Sequence, residues 1–234
     1  MSGIAARSEG LRKRIETAAR AAGRDPRAVR LLAVSKTFPA ECVLEAAEAG
    51  LRSFGENRVQ EAEKKVPDVN AAAAVPLDWH LVGQLQRNKA RRAVELFDWI
   101  HSVDRPALAV ALERQAEALG RTPRVFIQVN VDEEEQKGGV LPGQLPVLVR
   151  QVDALPHLEL VGLMTIPRAC EDPEEVRPSF ARLRGLLEET NGRREGAKLA
   201  ELSMGMSADF EVAIREGATW VRIGSAIFGE RQGR

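Results

Sequence analysis

The sequence predicts an α/β protein built as a single (β/α)8 TIM barrel with an extra N-terminal helix. Eight short apolar segments rich in Val, Ile and Leu alternate with longer helical segments. That alternation is typical of parallel strands joined by crossover helices. The length of 234 residues is close to the ~250 residues usual for this barrel. Since no linker, low-complexity tract or internal repeat divides the chain, we expect one domain over residues 1–234.

Composition narrows the class of protein. Hydrophobic residues make up 44% of the chain, and Lys+Arg and Asp+Glu both number 34, so the formal net charge is +0. Because there is no global positive field, nucleic acid is not expected as a partner. No apolar run reaches the ~20 residues of a membrane span. Cys42 and Cys170 are too far apart in sequence to suggest a disulfide or metal framework, and we expect a cytoplasmic protein.

Hydrophobic spacing predicts the N-terminal helix and the eight strands. The N-terminal segment predicts an amphipathic helix within residues 1–24, because Ile4, Leu11 and Ile15 share one face. It lacks the apolar core of a targeting peptide. The predicted strands are mostly short and apolar, as strands buried on both faces should be. They span residues 29–36, 51–57, 78–83, 97–103, 124–131, 159–165, 198–204 and 219–225.

The clearest helical segments follow in the same order. They are residues 39–50, 104–120, 172–190 and 207–218. Asp104 and Ser207 are the residue types that cap helix N-termini, and we expect them to do so. The stretch 67–76 predicts a loop. An open, doubly wound sheet is the alternative architecture, but Lys-Thr-Phe-Pro replaces the glycine-rich fingerprint that such a sheet usually carries after its first strand.

A lysine follows the first predicted strand. The run "RLLAVSKTFP" ends its apolar part at Val34 and reaches Lys36 two residues later. Burying an unpaired ammonium group is costly, so Lys36 either extends into solvent or uses its amine in chemistry. Barrel enzymes place their sites at the carboxyl ends of the strands. Lys36 is predicted to lie at that end.

Two glycine-containing loops follow the last two strands. "SMGMSAD" (203–209) and "RIGSAIFG" (222–229) each place glycine beside hydroxyl groups at the start of a helix. Backbone N–H groups in such a turn bind phosphate well, and barrels often hold a phosphate after strands seven and eight. Ordinary capped turns would explain either loop alone. The two loops together, with an amine on strand one, favour pyridoxal phosphate (PLP), which carries both an aldehyde and a phosphate.

These motifs resemble those of the pyridoxal-phosphate homeostasis protein family, which is related in fold to the N-terminal barrel of alanine racemase. The resemblance runs from about residue 30 to the C-terminus. The matching segments are "AVSKTFP", "FGENRVQE", "WHLVGQLQRNK", "VNVDEEEQKGG", "GLMTI" and "LSMGMSADFEVAIREGATWVRIGSAIFG". The resemblance implies a PLP-binding protein of intracellular vitamin B6 homeostasis, without established catalytic turnover.

The resemblance also implies roles for particular residues. Lys36 would hold PLP as a Schiff base, Arg222 would face the ring nitrogen, and Asn57 would line the cofactor pocket. The phosphate-binding positions are Ser203, Gly224 and Ser225. No residue is assigned a catalytic or metal-binding role.

A PLP-dependent, racemase-like enzyme is the alternative function. The chain contains no tyrosine, so it cannot supply the tyrosine base that partners lysine in alanine racemase. His80 is expected to be a pocket or core histidine. Lys137 is expected to be a surface lysine, with a position near the barrel mouth as the alternative. For partners, we expect PLP itself, apo forms of PLP-dependent enzymes as candidate recipients, and a monomeric protein.

Overall fold

The structure is a computed structural model that describes residues 3–229. It confirms the predicted barrel, since eight parallel strands pair in sequence order and β8 closes onto β1. Each observed strand lies inside its predicted segment. The strands are β1 Arg30–Val34, β2 Ser53–Glu56, β3 Asp78–Leu81, β4 Trp99–Val103, β5 Arg124–Gln128, β6 Glu159–Met164, β7 Glu201–Ser203 and β8 Trp220–Ile223.

Helices surround the barrel on its outside. Within the described part of the chain, none of them combines the length and the apolar character needed to cross a membrane. The helices are α1 Gly3–Ala21, α2 Ala40–Glu48, α3 Val59–Ala72, α4 Ala90–Leu96, α5 Pro106–Leu119, α6 Leu145–Asp153, α7 Arg177–Arg193, α8 Phe210–Arg215 and α9 Ser225–Phe228.

The extra N-terminal helix is present as predicted. Ile4, Leu11 and Ile15 of α1 are buried, and the helix packs against α2, α8 and α9. Its apolar face therefore covers the side of the barrel where β8 meets β1. The first two residues of the predicted helix, and residues 230–234 of the predicted domain, lie outside the described residues.

The predicted loop at 67–76 was wrong over its first half. Helix α3 continues to Ala72 and contains Pro67. A proline inside a helix removes one backbone hydrogen bond and costs about 3 kcal/mol. The helix continues because Val66 and Val69, on either side of that proline, are both buried in the core. Apolar packing outweighs the local signal of the proline at this point.

Two predicted helix caps were also wrong. Helix α5 begins at Pro106 with no side-chain cap, and the Asp104 carboxylate pairs with the Arg105 side chain instead. Helix α8 begins only at Phe210. Ser207 lies three residues earlier, and its hydroxyl group lies 3.2 Å from that of Ser225. The extra turn before α8 thus carries Ser207 toward the end of the neighbouring strand.

The amino end of the barrel is closed by aromatic side chains. Trp99 and Trp220 are buried inside the barrel with their rings 5.2 Å apart. Arg30 and Arg124, at the starts of β1 and β5, place their guanidinium groups 4.2 Å from the Trp220 ring and 4.7 Å from the Trp99 ring. Such contacts stabilise the cations over the ring faces. The interior of the barrel is therefore filled with side chains at its amino end.

Candidate functional site

A pocket of about 310 Å³ opens at the carboxyl ends of the strands. We call it the mouth pocket. It brings together five of the six residues predicted from the sequence: Lys36, Asn57, Arg222, Gly224 and Ser225. The sixth, Ser203, is fully buried beneath it. A larger cleft of about 870 Å³ lies between α6 and α7 on the outside of the barrel, but no lysine is among the described residues that line it.

Lys36 directly follows a buried hydrogen-bond network that joins the end of β1 to β2 and α3. The Ser35 hydroxyl group donates to Glu56 Oε1 at 2.7 Å, and Lys65 Nζ donates to Glu56 Oε1 at 2.7 Å and to the Ser35 carbonyl at 2.8 Å. Burial raises the pKa of Glu56, and the charge of Lys65 opposes that rise. The backbone immediately before Lys36 is therefore fixed to β2, which places the lysine at the start of the mouth pocket.

The residue after Lys36 has an unusual backbone. Thr37 has φ 69°, in the left-handed region that β-branched residues rarely adopt. Phe38 then stacks on Phe228 of α9 with ring centroids 5.1 Å apart. The tight turn and the aromatic contact bring the loop after β1 against the helix that follows β8. Lys36 and the second glycine-containing loop consequently share one pocket.

Asn57 follows β2 directly and is held by a close backbone approach. A Cβ atom on Gly83 would lie 2.1 Å from the Asn57 carbonyl oxygen and 2.8 Å from its Oδ1. Glycine is therefore the residue that fits at position 83. Asn57 keeps its place in the mouth pocket because the loop after β3 packs directly on it.

The two glycine-containing loops meet through a pair of serines. Ser207 and Ser225 have their hydroxyl oxygens 3.2 Å apart, and both line the mouth pocket with Gly224. Gly205 adopts φ +90°, and a Cβ there would lie 2.6 Å from that of Ala213, so the turn depends on glycine. The site prediction missed Ser207. Its signal was available in the sequence, because "SMGMSAD" contains a second serine beyond the end of the strand.

Arg222 lies at the floor of the mouth pocket. Its guanidinium group donates to Ser203 Oγ at 3.0 Å and to the Thr165 carbonyl at 2.8 Å. Burial lowers the pKa of Arg222 to about 10, while the charge of Asp209 acts in the opposite direction. The guanidinium is therefore charged at neutral pH. It offers N–H donors to a ligand and cannot accept a proton from one.

Two histidines inside the barrel were not assigned to the site from sequence. His80 Nδ1 lies 2.9 Å from His101 Nε2, and His101 Nδ1 lies 2.8 Å from Ser203 Oγ. His80 was expected to lie in the pocket or in the core, and it lies in the core. Burial lowers the pKa of both rings well below the usual value for histidine. Both rings are therefore neutral. His101 reaches Arg222 through Ser203, and His80 contacts His101.

Lys137 is a partly exposed lysine near the barrel mouth, which was the alternative position expected for it. Its side chain is 25% exposed and pairs with Glu134. Its Nζ donates to the carbonyl oxygen of Pro167 at 2.8 Å. Pro167 directly follows Ile166, a lining residue of the mouth pocket, so Lys137 lies beside the rim.

The fold and the site together define a class. This is a (β/α)8 barrel in which a lysine follows the first strand and the last strand carries an arginine. The segments after the last two strands present a pair of hydroxyl groups. The family model described as "Alanine racemase, N-terminal domain" matches residues 7–232. The chain belongs to that family and, within it, to the pyridoxal phosphate homeostasis proteins, as the following relatives show.

Curated relatives match over nearly the whole chain. A pyridoxal phosphate homeostasis protein of Pseudomonas aeruginosa is 50% identical over 232 residues, covering 99% of this chain and 97% of the relative. One of Aquifex aeolicus is 46% identical over 220 residues, covering 94% and 95%. These two matches confirm the family resemblance predicted from the motifs.

Solved structures include a related protein and more distant proteins with the same barrel. PipY of Synechococcus elongatus, in a structure with PLP bound, is 42% identical with a TM-score of 0.85, covering 97% of this chain and 100% of that one. Alanine racemase of Corynebacterium glutamicum is 20% identical with a TM-score of 0.68, covering 95% and 62%. The second match shows a shared barrel fold alone.

Proposed function

We propose that this protein binds PLP in the mouth pocket, through a Schiff base on Lys36, and takes part in intracellular vitamin B6 homeostasis. One observation carries the proposal: an amine, a guanidinium group and a pair of hydroxyl groups line a single pocket of about 310 Å³. The PLP-bound structure of PipY, a relative of the same family, supports it, as do the names of the curated relatives.

The lining residues fit the chemistry of this cofactor. When bound, PLP supplies an aldehyde that a lysine amine binds reversibly as a Schiff base, with the aldehyde oxygen leaving as water. Ser207 and Ser225 provide hydroxyl donors for the phosphate, together with N–H groups at the start of α9 near Gly224. Ser207 replaces Ser203 in this assignment, because the Ser203 hydroxyl is fully buried and bonded to other side chains.

Arg222 and Asn57 complete the proposed site. An arginine beside the ring nitrogen can only donate a hydrogen bond, so it favours an unprotonated nitrogen there. That arrangement holds the ring in place but weakens it as an electron sink. Asn57, fixed by Gly83, offers a neutral amide to the same pocket.

The pocket favours a carrier over the racemase-like alternative. Racemisation needs a proton-transfer group on each side of the substrate carbon. Lys36 can serve one side, but the described lining contains no histidine, carboxylate or cysteine to serve the other, and the chain contains no tyrosine. His80 and His101 are fully buried below Arg222. We therefore propose a protein that holds PLP without turning over amino acids at an enzyme-like rate.

The same proposal extends to how the protein works in the cell. The rim residues Ile166 and Met206 are 39% and 38% exposed, so the mouth pocket opens directly to its surroundings. An open pocket suits release to a recipient. We propose a cytoplasmic monomer, with residues 1–234 acting as one domain, that gives PLP to apo forms of PLP-dependent enzymes.

Titration of the apoprotein with PLP tests the binding proposal. Wild type is expected to develop a visible absorbance band that borohydride removes, and Lys36→Ala is expected to develop none. Lys13→Ala is the matched control, because Lys13 is an exposed lysine on α1 whose ion pair is with Glu9. An unchanged band in Lys36→Ala would overturn the assignment of the amine.

A separate experiment tests the carrier against the enzyme. Holoprotein is incubated with each common L- and D-amino acid in deuterated water, and Cα exchange and product formation are followed. We expect exchange far below the ordinary enzyme range of ~1 s⁻¹ or more. Turnover in that range, abolished by Lys36→Ala, would replace the carrier proposal with the racemase-like enzyme.

A further inference from the structure

A continuous chain of hydrogen-bonding side chains descends from the mouth pocket into the barrel. We call Arg222, Ser203, His101 and His80 the interior chain. The Arg222 guanidinium lies 3.0 Å from Ser203 Oγ, which lies 2.8 Å from His101 Nδ1, and His101 Nε2 lies 2.9 Å from His80 Nδ1. Exposure is 5% or less at all four residues. Bulk water therefore does not compete for these contacts.

Arg222 determines which group donates and which accepts at each hydrogen bond of the interior chain. A guanidinium group can only donate, so the Ser203 oxygen accepts from Arg222. The one proton of Ser203 is then available for His101 Nδ1, which must be an acceptor. A neutral His101 consequently carries its proton on Nε2 and donates it to His80 Nδ1. His80 in turn carries its proton on Nε2, which has no hydrogen-bond partner among the described residues.

The opposite direction satisfies fewer groups. If His101 donated from Nδ1, the Ser203 oxygen would accept twice and its own proton would have no acceptor among its described contacts. His80 would then donate to His101 and leave its Nε2 lone pair unused. Two polar groups would be unsatisfied instead of one, and each unsatisfied buried group costs about 1–3 kcal/mol. The tautomers are therefore assigned by the arginine.

Donation from Ser203 to His101, and from His101 to His80, requires both histidines to be neutral. Burial is the main cause that lowers the pKa of both rings, and positive charge adds to it: Arg222 at His101, and Arg30 and Arg124 at His80. The His80 ring also stacks on Trp99 with centroids 5.1 Å apart and 6° between the planes. The lower end of the interior chain is therefore fixed by packing, and the upper end holds the guanidinium.

We infer that His101 is a positioning residue for Arg222, acting through the Ser203 hydroxyl group. By taking the Ser203 proton, His101 turns the serine lone pair toward the guanidinium and fixes one of its two anchoring contacts. The Thr165 carbonyl provides the other. With both contacts made, the remaining N–H groups of Arg222 have a single orientation toward the pocket. This inference rests on the proposed function, since it assigns Arg222 to the PLP ring nitrogen.

Two substitutions at one position test the inference. His101→Asn keeps an acceptor oxygen close to the place of Nδ1, whereas His101→Leu removes the acceptor at similar volume. Both variants lose the contact with His80, so a role in folding alone would affect them alike. We expect His101→Leu to raise the PLP dissociation constant about three- to tenfold, the worth of about one net hydrogen bond, and to move the absorbance maximum of the Schiff base. His101→Asn should recover most of both.

A double-mutant cycle with Ser203 locates the effect. If His101 acts through Ser203, His101→Leu should add little in the Ser203→Ala background, because contacting residues are non-additive. His157→Leu is the control, since His157 bonds Glu113 outside the barrel and should leave binding and spectrum unchanged. Equal spectra and affinities for His101→Leu, His101→Asn and wild type would overturn the inference, as would full additivity in the cycle.

Failure of the proposed function would look different. After incubation with PLP and reduction with borohydride, the wild-type protein would then carry no pyridoxyl group on Lys36. That result alone would reject the proposed function, without any comparison of variants. If the wild-type protein carries the pyridoxyl group on Lys36 but His101→Leu and His101→Asn bind PLP like wild type, the PLP site is kept. The positioning role of His101 is then rejected. If circular dichroism shows that His101→Leu folds poorly, Ser203→Ala decides the inference instead. Its Schiff-base absorbance maximum must then shift from that of wild type in the direction expected for His101→Leu, and an unshifted maximum would overturn the inference.

Discussion

The mouth and the interior of the barrel use polar residues in opposite ways. At the mouth, Ser207, Ser225 and Lys36 line an open pocket. Below it, His80 and His101 are fully buried and hydrogen-bonded to each other. The hydroxyl groups at the mouth lie on the wall of the pocket, where a ligand can reach them. The imidazole groups in the interior are hydrogen-bonded to each other and to Ser203.

This difference teaches how one barrel can be both a binding site and a rigid support. Buried polar groups must be paired because an unsatisfied one is costly, and pairing fixes their orientation. Arg222 belongs to both regions: Ser203 and Thr165 hold it from the interior, while its side chain lines the mouth pocket. The comparison predicts that interior substitutions act on the ligand only through Arg222, whereas mouth substitutions act on it directly.

The largest expected effect is on stability, at the buried ion pair that supports Lys36. Lys65→Met should lower the free energy of unfolding by about 3–5 kcal/mol at neutral pH, because it leaves the Glu56 carboxylate buried and unpaired. Glu56 is fully buried and the Lys65 side chain is 10% exposed. Urea unfolding measures the loss. Lys64→Met is the control, since Lys64 is exposed on the same helix.

The pH dependence of that variant follows from the raised pKa of Glu56. Without Lys65 the pKa of Glu56 rises further, so at pH values between the unfolded and the folded pKa the folded protein keeps a proton that the unfolded chain has already released. Stability is then greatest below the unfolded pKa, near 4.5, and falls as pH rises through the folded pKa. The deficit of Lys65→Met relative to wild type should shrink on acidification. A deficit independent of pH would contradict the ion-pair account.

The next effect sharpens the comparison between mouth and interior. Ser207→Ala with Ser225→Ala removes two hydroxyl donors to a charged group, each worth roughly 1.5–3 kcal/mol. We expect PLP affinity to fall at least tenfold without loss of the fold. Ser203→Ala should cost less, because its hydroxyl touches Arg222 and not the phosphate. Equilibrium titration with PLP compares the three; a larger loss in Ser203→Ala would reverse the assignment.

The smallest effect is at the turn after Lys36. Thr37 has a left-handed backbone that costs a β-branched residue about 1–2 kcal/mol, whereas glycine adopts it freely. Thr37→Gly should therefore leave stability unchanged or raise it by up to about 1 kcal/mol. Thr122→Gly, in an exposed loop with an ordinary backbone, should lower it slightly. Thermal unfolding of both variants makes the comparison, and equal losses in the two would refute the strain.

The sequence predicted the mouth better than the interior, for a physical reason. Lys36, Gly224 and Ser225 come just after apolar runs of the sequence, where a polar or small residue stands out. His80 and His101 lie within strands that are buried on both faces, so alternation cannot show which of their neighbours point inward. Their pairing depends on contacts between strands β3, β4 and β7, which no local pattern contains.

The different positions of Ser203 and Ser207 have the same origin. Strand β7 has three residues and ends at Ser203, so this serine is still part of the barrel wall. Four residues later the chain has turned at Gly205, and Ser207 lines the pocket. Both serines belong to one motif, and sequence alone could not fix the point at which the strand ends.

Borohydride reduction followed by peptide mapping tests the central claim most directly. The holoprotein is reduced, digested, and searched by mass spectrometry for a lysine bearing a pyridoxyl group. The account predicts one stoichiometric modification on Lys36, retained in Lys137→Ala, the variant that removes the lysine beside the rim. A label on Lys137 or Lys65 in place of Lys36, or no label in a protein that retains PLP, would contradict it.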